Sequence, residues 1–473
     1  MPSSLWNASA SAARRIWGIA RLRPFETSTP TGRSKERYRR AFLTTVASGF
    51  SRSVNILTVL ITVPLTLKYL GTERYGLWMT MSSLIVILGF SDLGINNGLL
   101  NGISTAHGRE NRELARRYIS SAAFFLTGVA LAIGICFAAA YPWISWQAVF
   151  HVSSPQALAE AGPAAAVFVA CFLLNIPFGI VGRVQLGYQE GFASNLWASA
   201  GSLFGLAGVL LVIRFHGSLK WLVLAMAGAP LLAQLLNGIY VFGVQRRWLL
   251  PAWSRVTAEV SKELLHSGFA FFILQLAIAV SYSSDNIVLA QILGPQAVTQ
   301  YSVSSRLFNI VATVTAVLLG PLWPAYGEAL ARMDHQWMRR TLLRSVGLSV
   351  GISVTMGVIL FSFGTRIIHL WVGNKINPSQ TLLISLAIWC VLSSLSMALA
   401  TFFNGASLLS FAAKVAIWAS LANITLSIYL TRRIGIPGVV FGSIIAQAFF
   451  AIVPYFLYIR RYLAAATPDG VGA

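Results

Sequence analysis

Runs of about twenty apolar residues alternate with short polar connections along nearly the whole of this 473-residue chain. A helix that crosses a bilayer needs such a run, with every backbone polar group bonded within the segment. The pattern predicts twelve spans, at 43–69, 76–101, 118–141, 161–182, 192–213, 219–244, 266–292, 298–324, 341–363, 380–403, 410–431 and 436–459. The fold class that follows is an all-α polytopic membrane protein. The polar connection from Gln245 to Leu265 divides the spans six and six. The expected organisation is a basic, disordered tail (1–41), a six-helix lobe (42–245), a linker (246–265), a second six-helix lobe (266–463) and a short tail (464–473).

The two halves read as copies of each other. Leu70-Gly71 and Leu293-Gly294 stand 223 positions apart, each closing the turn after the first span of its half. Arg109 with Arg116-Arg117, and Arg332 with Arg339-Arg340, repeat at the same offset after the second span. An even number of spans per copy makes both halves enter the membrane in one sense. The copies are then related by a pseudo-two-fold axis near the membrane normal, and the cleft between them is the natural ligand site.

Composition agrees with the pattern: 56% hydrophobic, 10% charged and a mean hydropathy of +0.69 exclude an ordinary soluble domain. A net charge of +21 invites a nucleic-acid reading until the basic residues are sorted by location. With the first span leaving the cytosol, 24 of the 35 Lys and Arg fall on the cytosolic side, eight outside and three within spans. That bias is an orientation signal, so both termini are expected in the cytosol, the membrane is the inner one, and no nucleic-acid partner is implied. Trp6, Ile16, Trp17, Ile19 and Leu22 are interleaved with Arg14, Arg15, Arg21 and Arg23, which fits either a helix lying on an anionic leaflet or a mobile cytosolic tail. Cys136, Cys171 and Cys390 read as small core residues. The six histidines are scattered, there is no Walker loop, and no acids or histidines show metal-ligand spacing. No catalytic residue, metal or cofactor is expected, and the chain is not expected to be an enzyme. The first external connection offers a lipid-donor glycosyltransferase only Glu73.

Charges inside spans need a reason, because they are costly there. Residues equidistant from a hairpin turn lie at similar depth, each advancing about 1.5 Å. By that count Arg52 and Asp92 share a level about Gly71, and Asp285 and Arg306 a level about Gly294. Each pair reads either as a fixed ion-pair staple or as part of a water-filled cavity, with the arginines meeting an anionic ligand and Asp92 or Asp285 taking a coupling cation or proton. Asn55, Asn96 and Asn97 beside the first pair, and Asn286 and Asn309 beside the second, add sugar-compatible hydrogen-bonding groups. Lys414 lies near a span end and is expected to snorkel. Arg183 and Glu190 are expected to mark a cytosolic turn or to form part of an entrance, and Glu328 and Asp334 to balance the basic loop beside them.

At these residues the chain resembles the polysaccharide transporter family, the Wzx-type flippases of the multidrug/oligosaccharidyl-lipid/polysaccharide exporter superfamily. Pro64-Leu65 through Leu70-Gly71, Tyr75-Gly76-Leu77-Trp78 and Ser91-Asp92-Leu93-Gly94 carry the resemblance in the first half. Asp285-Asn286-Ile287-Val288-Leu289 through Leu293-Gly294, then Tyr301-Ser302-Val303 and Ser305-Arg306-Leu307, carry it in the second. The resemblance implies a MATE-like pair of lobes around a V-shaped cavity that alternates between the membrane faces. It implies a polyprenyl-pyrophosphate-linked oligosaccharide as cargo, flipped outward for surface glycan assembly, with membrane lipids and a glycan polymerase or glycosyltransferase as partners. On that reading Arg52 and Arg306 attract the pyrophosphate, and Asp92 or Asp285 couples a cation. Two other readings stand beside it: a cation-coupled exporter of small amphipathic compounds from the same superfamily, and a membrane scaffold of a glycan-synthesis complex that transports nothing itself.

Overall fold

The computed structural model describes residues 23–465 apart from 89, 151–153 and 373–376. Among them every regular element is a helix, and the chain divides into two compact units, 1–269 and 270–473. The first unit holds α1 (Pro30–Leu88), α2 (Ile95–Gly108), α3 (Arg112–Ala140), the short α4 (Trp146–Phe150), α5 (Pro155–Phe178), α6 (Ile180–Gly187), α7 (Gly191–Arg214) and α8 (Leu219–Gly238). Then α9 (Ala258–Leu293) leads into the second, with α10 (Pro295–Leu319), α11 (Leu322–Ala331), α12 (His335–Val372), α13 (Gln380–Gly405), α14 (Leu409–Ile434), α15 (Pro437–Gln447) and α16 (Val453–Ala465).

Ten helical segments among the described residues are long and apolar enough to cross a membrane. The expected second span falls on 72–88 continued by α2, and the seventh on α9. Some side chains of both lie outside the described residues. The amphipathic pattern expected over residues 6–23 lies almost wholly outside them, as do residues 466–473 of the short terminal tail. The rest of the expected disordered tail is folded. Thr29 caps a helix that begins at Pro30, its Oγ1 accepting from Gly32 N–H at 3.1 Å, the preferred start for a proline in the first turn. Glu36, one of the few acids of this stretch, is buried and gathers Arg39 at 2.6 Å, Arg40 at 2.8 Å and the Phe25 N–H at 2.9 Å. Arg40 also donates to the Tyr188 carbonyl at 2.8 Å, fastening the segment to the loop after α6.

The connection expected between the first two spans, 69 to 76, is a turn of a single residue. Gly71 has φ 74° and ψ 174°, and helix resumes at once on its far side, so Glu73 and Arg74 are helical and Arg74 pairs with Glu160 at 2.8 Å. Gly294 has nearly the same geometry, φ 85° and ψ 176°, between α9 and α10. That region is open essentially to glycine alone, which is why Leu-Gly marks both hairpins. The likeness continues at the 223-residue offset. Glu110 and Met333 both have positive φ, 54° and 58°. Asn111 N–H donates to the Ala106 carbonyl and Asp334 N–H to that of Ala329, each at 2.9 Å. Asn111 then caps Leu114 N–H at 2.9 Å, and Asp334 caps Trp337 N–H at 3.2 Å.

In the first unit the connections sort to two ends. Glu73 accepts from Ser154 N–H at 3.0 Å and Tyr69 donates to the Gly217 carbonyl at 2.9 Å. At the other, basic end Arg246 pairs with Glu190 at 2.5 Å and lies 4.3 Å over the Tyr188 ring. Burial pushes the Tyr188 phenol up to about 12. The core near this end joins α2, α3, α5 and α6 through Ile95, Leu99, Ile103, Ile119, Ile176 and Val184. The second unit packs α10, α12, α13 and α15 around Leu289, Phe308, Val311, Leu383 and Val439. Cys171 and Cys390 are buried, as expected of core residues, but Cys136 is exposed on the outer face of α3.

Candidate functional site

The four charges paired by depth do not bond as that count predicts. Asp92 is not in a helix. It occupies the turn between the two halves of the second span, where its Oδ1 accepts from Gly94 N–H at 2.9 Å and its carbonyl accepts from Ile95 N–H at 2.9 Å. Leu93 and Gly94 are left-handed, φ 49° and 73°, and α2 starts at Ile95. The carboxylate therefore meets the positive end of a helix dipole. Its electrostatic partner is Arg183 of α6. Arg183 was expected to mark a cytosolic turn; it lies on α6, which runs to Gly187, and the turn follows at Tyr188. Arg52 is exposed on α1, with Asn55 one turn further along the same face reaching Ser202 at 3.4 Å.

In the second unit Asp285 is 7% exposed, and its Oδ2 accepts from the Tyr301 hydroxyl at 2.9 Å. Its Oδ1 is buried without a hydrogen bond. The adjacent Asn286 Oδ1 accepts from Ser302 Oγ at 3.1 Å. Arg306 does not bridge to Asp285, because the five residues from Tyr301 turn it roughly 140° round α10. It is exposed, and so is Asn309 one turn on. Along its own helix Arg306 lies about 18 Å from the Gly294 turn, whereas Arg52 lies roughly 28 Å from Gly71.

Asn96 and Asn97 are buried on α2 at the start of the polar interior of the first unit, and Asn96 Oδ1 has no hydrogen-bond partner. Towards the end of α6, Gln185 and Asn237 exchange two amide hydrogen bonds, both 2.9 Å, with neither residue more than 2% exposed. Sequence reasoning missed this pair, because neither residue is charged and they stand 52 positions apart. Lys414 is exposed, as snorkelling requires. Glu190 pairs with Arg246, Glu328 with Arg332 at 2.8 Å, and Asp334 caps α12.

Residues 44–330 match the model of a family described as polysaccharide biosynthesis protein, and residues 271–429 match that of MatE. A Salmonella typhi protein named as an O-antigen transporter is 22% identical over 446 residues, covering 90% of this chain and 98% of that one. A Salmonella typhimurium protein of the same name is 24% identical over 306 residues, 63% of this chain and 67% of its own. Among solved structures, a MATE transporter in the bent conformation superposes with a TM-score of 0.77 at 16% identity, covering 92% of this chain and 96% of that chain. The outward-facing conformation of a multidrug resistance MATE family transporter of the MOP superfamily gives 0.75 at 16% identity, covering 91% and 97%. The all-α polytopic fold read from the sequence is thus the MATE fold.

Proposed function

We propose that this chain, which belongs to the polysaccharide biosynthesis protein family, flips a polyprenyl-pyrophosphate-linked oligosaccharide across the cytoplasmic membrane by alternating access during surface polysaccharide assembly. It is a multi-pass membrane transporter of the MOP superfamily. The lipid-linked cargo, the cytosolic placing of the basic end and both termini, and service to a glycan polymerase or glycosyltransferase belong to the proposal. The names of its relatives support the cargo.

The observation that carries the reading is Arg306 with Asn309, exposed on α10 within a segment long and apolar enough to cross a membrane. An unpaired guanidinium in hydrocarbon costs several kcal/mol, by the lower scales about 3. The face that bears it therefore meets water or an anion, and the amide one turn away suits a sugar hydroxyl. Arg52 and Asn55 repeat the Arg-x-x-Asn arrangement on α1, nearer the basic end, where a pyrophosphate would be met first. Asp285, with one oxygen held by Tyr301 and the other bare, is the coupling group this geometry favours over Asp92, whose carboxylate is engaged by a helix start.

The test is complementation of a deletion strain. Wild-type protein restores surface glycan, while the double change Arg52→Ala with Arg306→Ala, at equal membrane level, leaves lipid-linked glycan in the cytosolic leaflet. Full glycan export by that variant would remove the arginines from the site. Normal surface glycan in the deletion strain, with drug sensitivity instead, would transfer the protein to small-molecule export.

A further inference from the structure

The residues that join α8 to α9 are strapped across the basic end of the first unit. Leu249 is fully buried in the core with Ile103, Tyr118 and Val260. Ala252 N–H donates to Ser120 Oγ at 3.1 Å, the Trp253 ring meets Phe124 edge-on at 4.1 Å, and the Arg112 guanidinium lies 5.4 Å over Trp248. The strap therefore runs beside the first turns of α3.

Charge there does not balance. Three guanidiniums converge on the single carboxylate of Glu113, Arg255 at 2.6 Å and Arg116 and Arg117 at 3.6 Å. Two positive charges remain in excess. Of the other acids of this end, Glu190 pairs with Arg246 and Glu36 with Arg39 and Arg40, while Glu110, Glu259 and Glu263 are matched in number by Arg109, Arg112 and Lys262. Against this cationic cluster the strap turns two large apolar side chains outward, Leu250 at 58% and Trp253 at 73% exposure. Trp253 stands where the arginine-bearing turn of α3 gives way to its apolar length at Phe124. Tryptophan favours the headgroup level, and arginine there meets phosphate.

We propose that the strap is a docking surface for an anionic phospholipid of the surrounding bilayer, its phosphodiester on Arg116, Arg117 and Arg255, with Trp253 and Leu250 seated at the boundary between headgroups and acyl chains. A zwitterionic headgroup brings its own cation to a site already in positive excess and is disfavoured. A free phosphate would use the guanidiniums but leave the apolar pair without a role.

The full-length protein, purified in detergent and offered equal phosphatidylglycerol and phosphatidylcholine, is read by native mass spectrometry for retained lipid. Wild type retains phosphatidylglycerol preferentially. Arg116→Gln with Arg117→Gln lowers that preference roughly thirtyfold, the scale of two basic residues at a membrane surface, and Trp253→Ala shortens retention without changing headgroup preference. If the double variant fails to fold, Arg117→Gln alone, at a side chain 43% exposed, gives the same readout at roughly fivefold. Equal retention of both lipids by wild type, or an unchanged preference in the arginine variants, overturns the proposal. Displacement of the lipid by inorganic phosphate, with Trp253→Ala silent, overturns it in favour of a free-anion site.

Discussion

Alanine at Gly71 or Gly294 isolates a backbone effect that no contact obscures. A Cβ built at either position meets nothing within 4 Å, so crowding contributes nothing. What remains is the conformation itself, φ 74° with ψ 174° and φ 85° with ψ 176°. Holding a residue with a side chain there costs about 1–3 kcal/mol. Gly76 is the internal control. It also meets nothing within 4 Å, but it is helical, so alanine there gains about 0.5–1 kcal/mol. The predicted order is Gly76→Ala at or above wild type, with Gly71→Ala and Gly294→Ala both below it, separated from the control by about 1.5–4 kcal/mol. The assay is the rate of thermal inactivation in one detergent at one temperature, since unfolding of a protein of this kind is irreversible. Inactivation of Gly71→Ala as slow as that of wild type would refute the argument that this turn requires glycine.

Three further outcomes follow from contacts described above. Tyr301→Phe strips Asp285 of its hydrogen bond and should destabilise by about 1.5–3 kcal/mol, while Asp285→Asn, which keeps a partner for Tyr301, should cost less; comparing inactivation rates of the two variants decides it. Gln185→Ala or Asn237→Ala leaves one buried amide orphaned, at about 1–3 kcal/mol each, and the double change should cost clearly less than the two together. A double-mutant cycle over Glu190→Gln and Arg246→Gln should return a coupling of about 1 kcal/mol that shrinks in high salt, since both side chains are 17% exposed.

How far the chain could be read depended on whether a signal was periodic. The spans and the repeated Leu-Gly were legible because apolar length and glycine's conformational freedom act locally. Pairing charges by depth failed where helix was assumed to run on: Asp-Leu-Gly at 92–94 is a helix-start signal, and it was available in the sequence. Arg183 was read with the turn because the fourth span was drawn to end at 182, whereas helix continues to Gly187. Arg306 failed by rotation, a quantity that depth does not carry. The folded segment before Phe42 was hidden by its charge, although Thr29-Pro30 is a readable start and Glu36 a readable counter-ion.

The two halves differ most in length over one stretch. Ser154 and Ser379, which cap α5 and α13 through Ala157 and Leu382, are 225 positions apart, yet the motifs closing those spans, with Gln189 and Ser407 at φ 58° and 57°, are 218 apart. The fourth span of the first half is therefore longer by seven residues, two helical turns. A change of that length moves side chains only about 20° round the axis, so it lengthens a helix without turning its face. Such a step passes selection where a change of five or six residues would scramble the packing. It falls on the stretch that carries Arg183, whose counterpart at the second offset is Thr401. The longer span thus keeps the face its shorter counterpart presents, while adding length on the stretch where one half carries an arginine and the other a threonine.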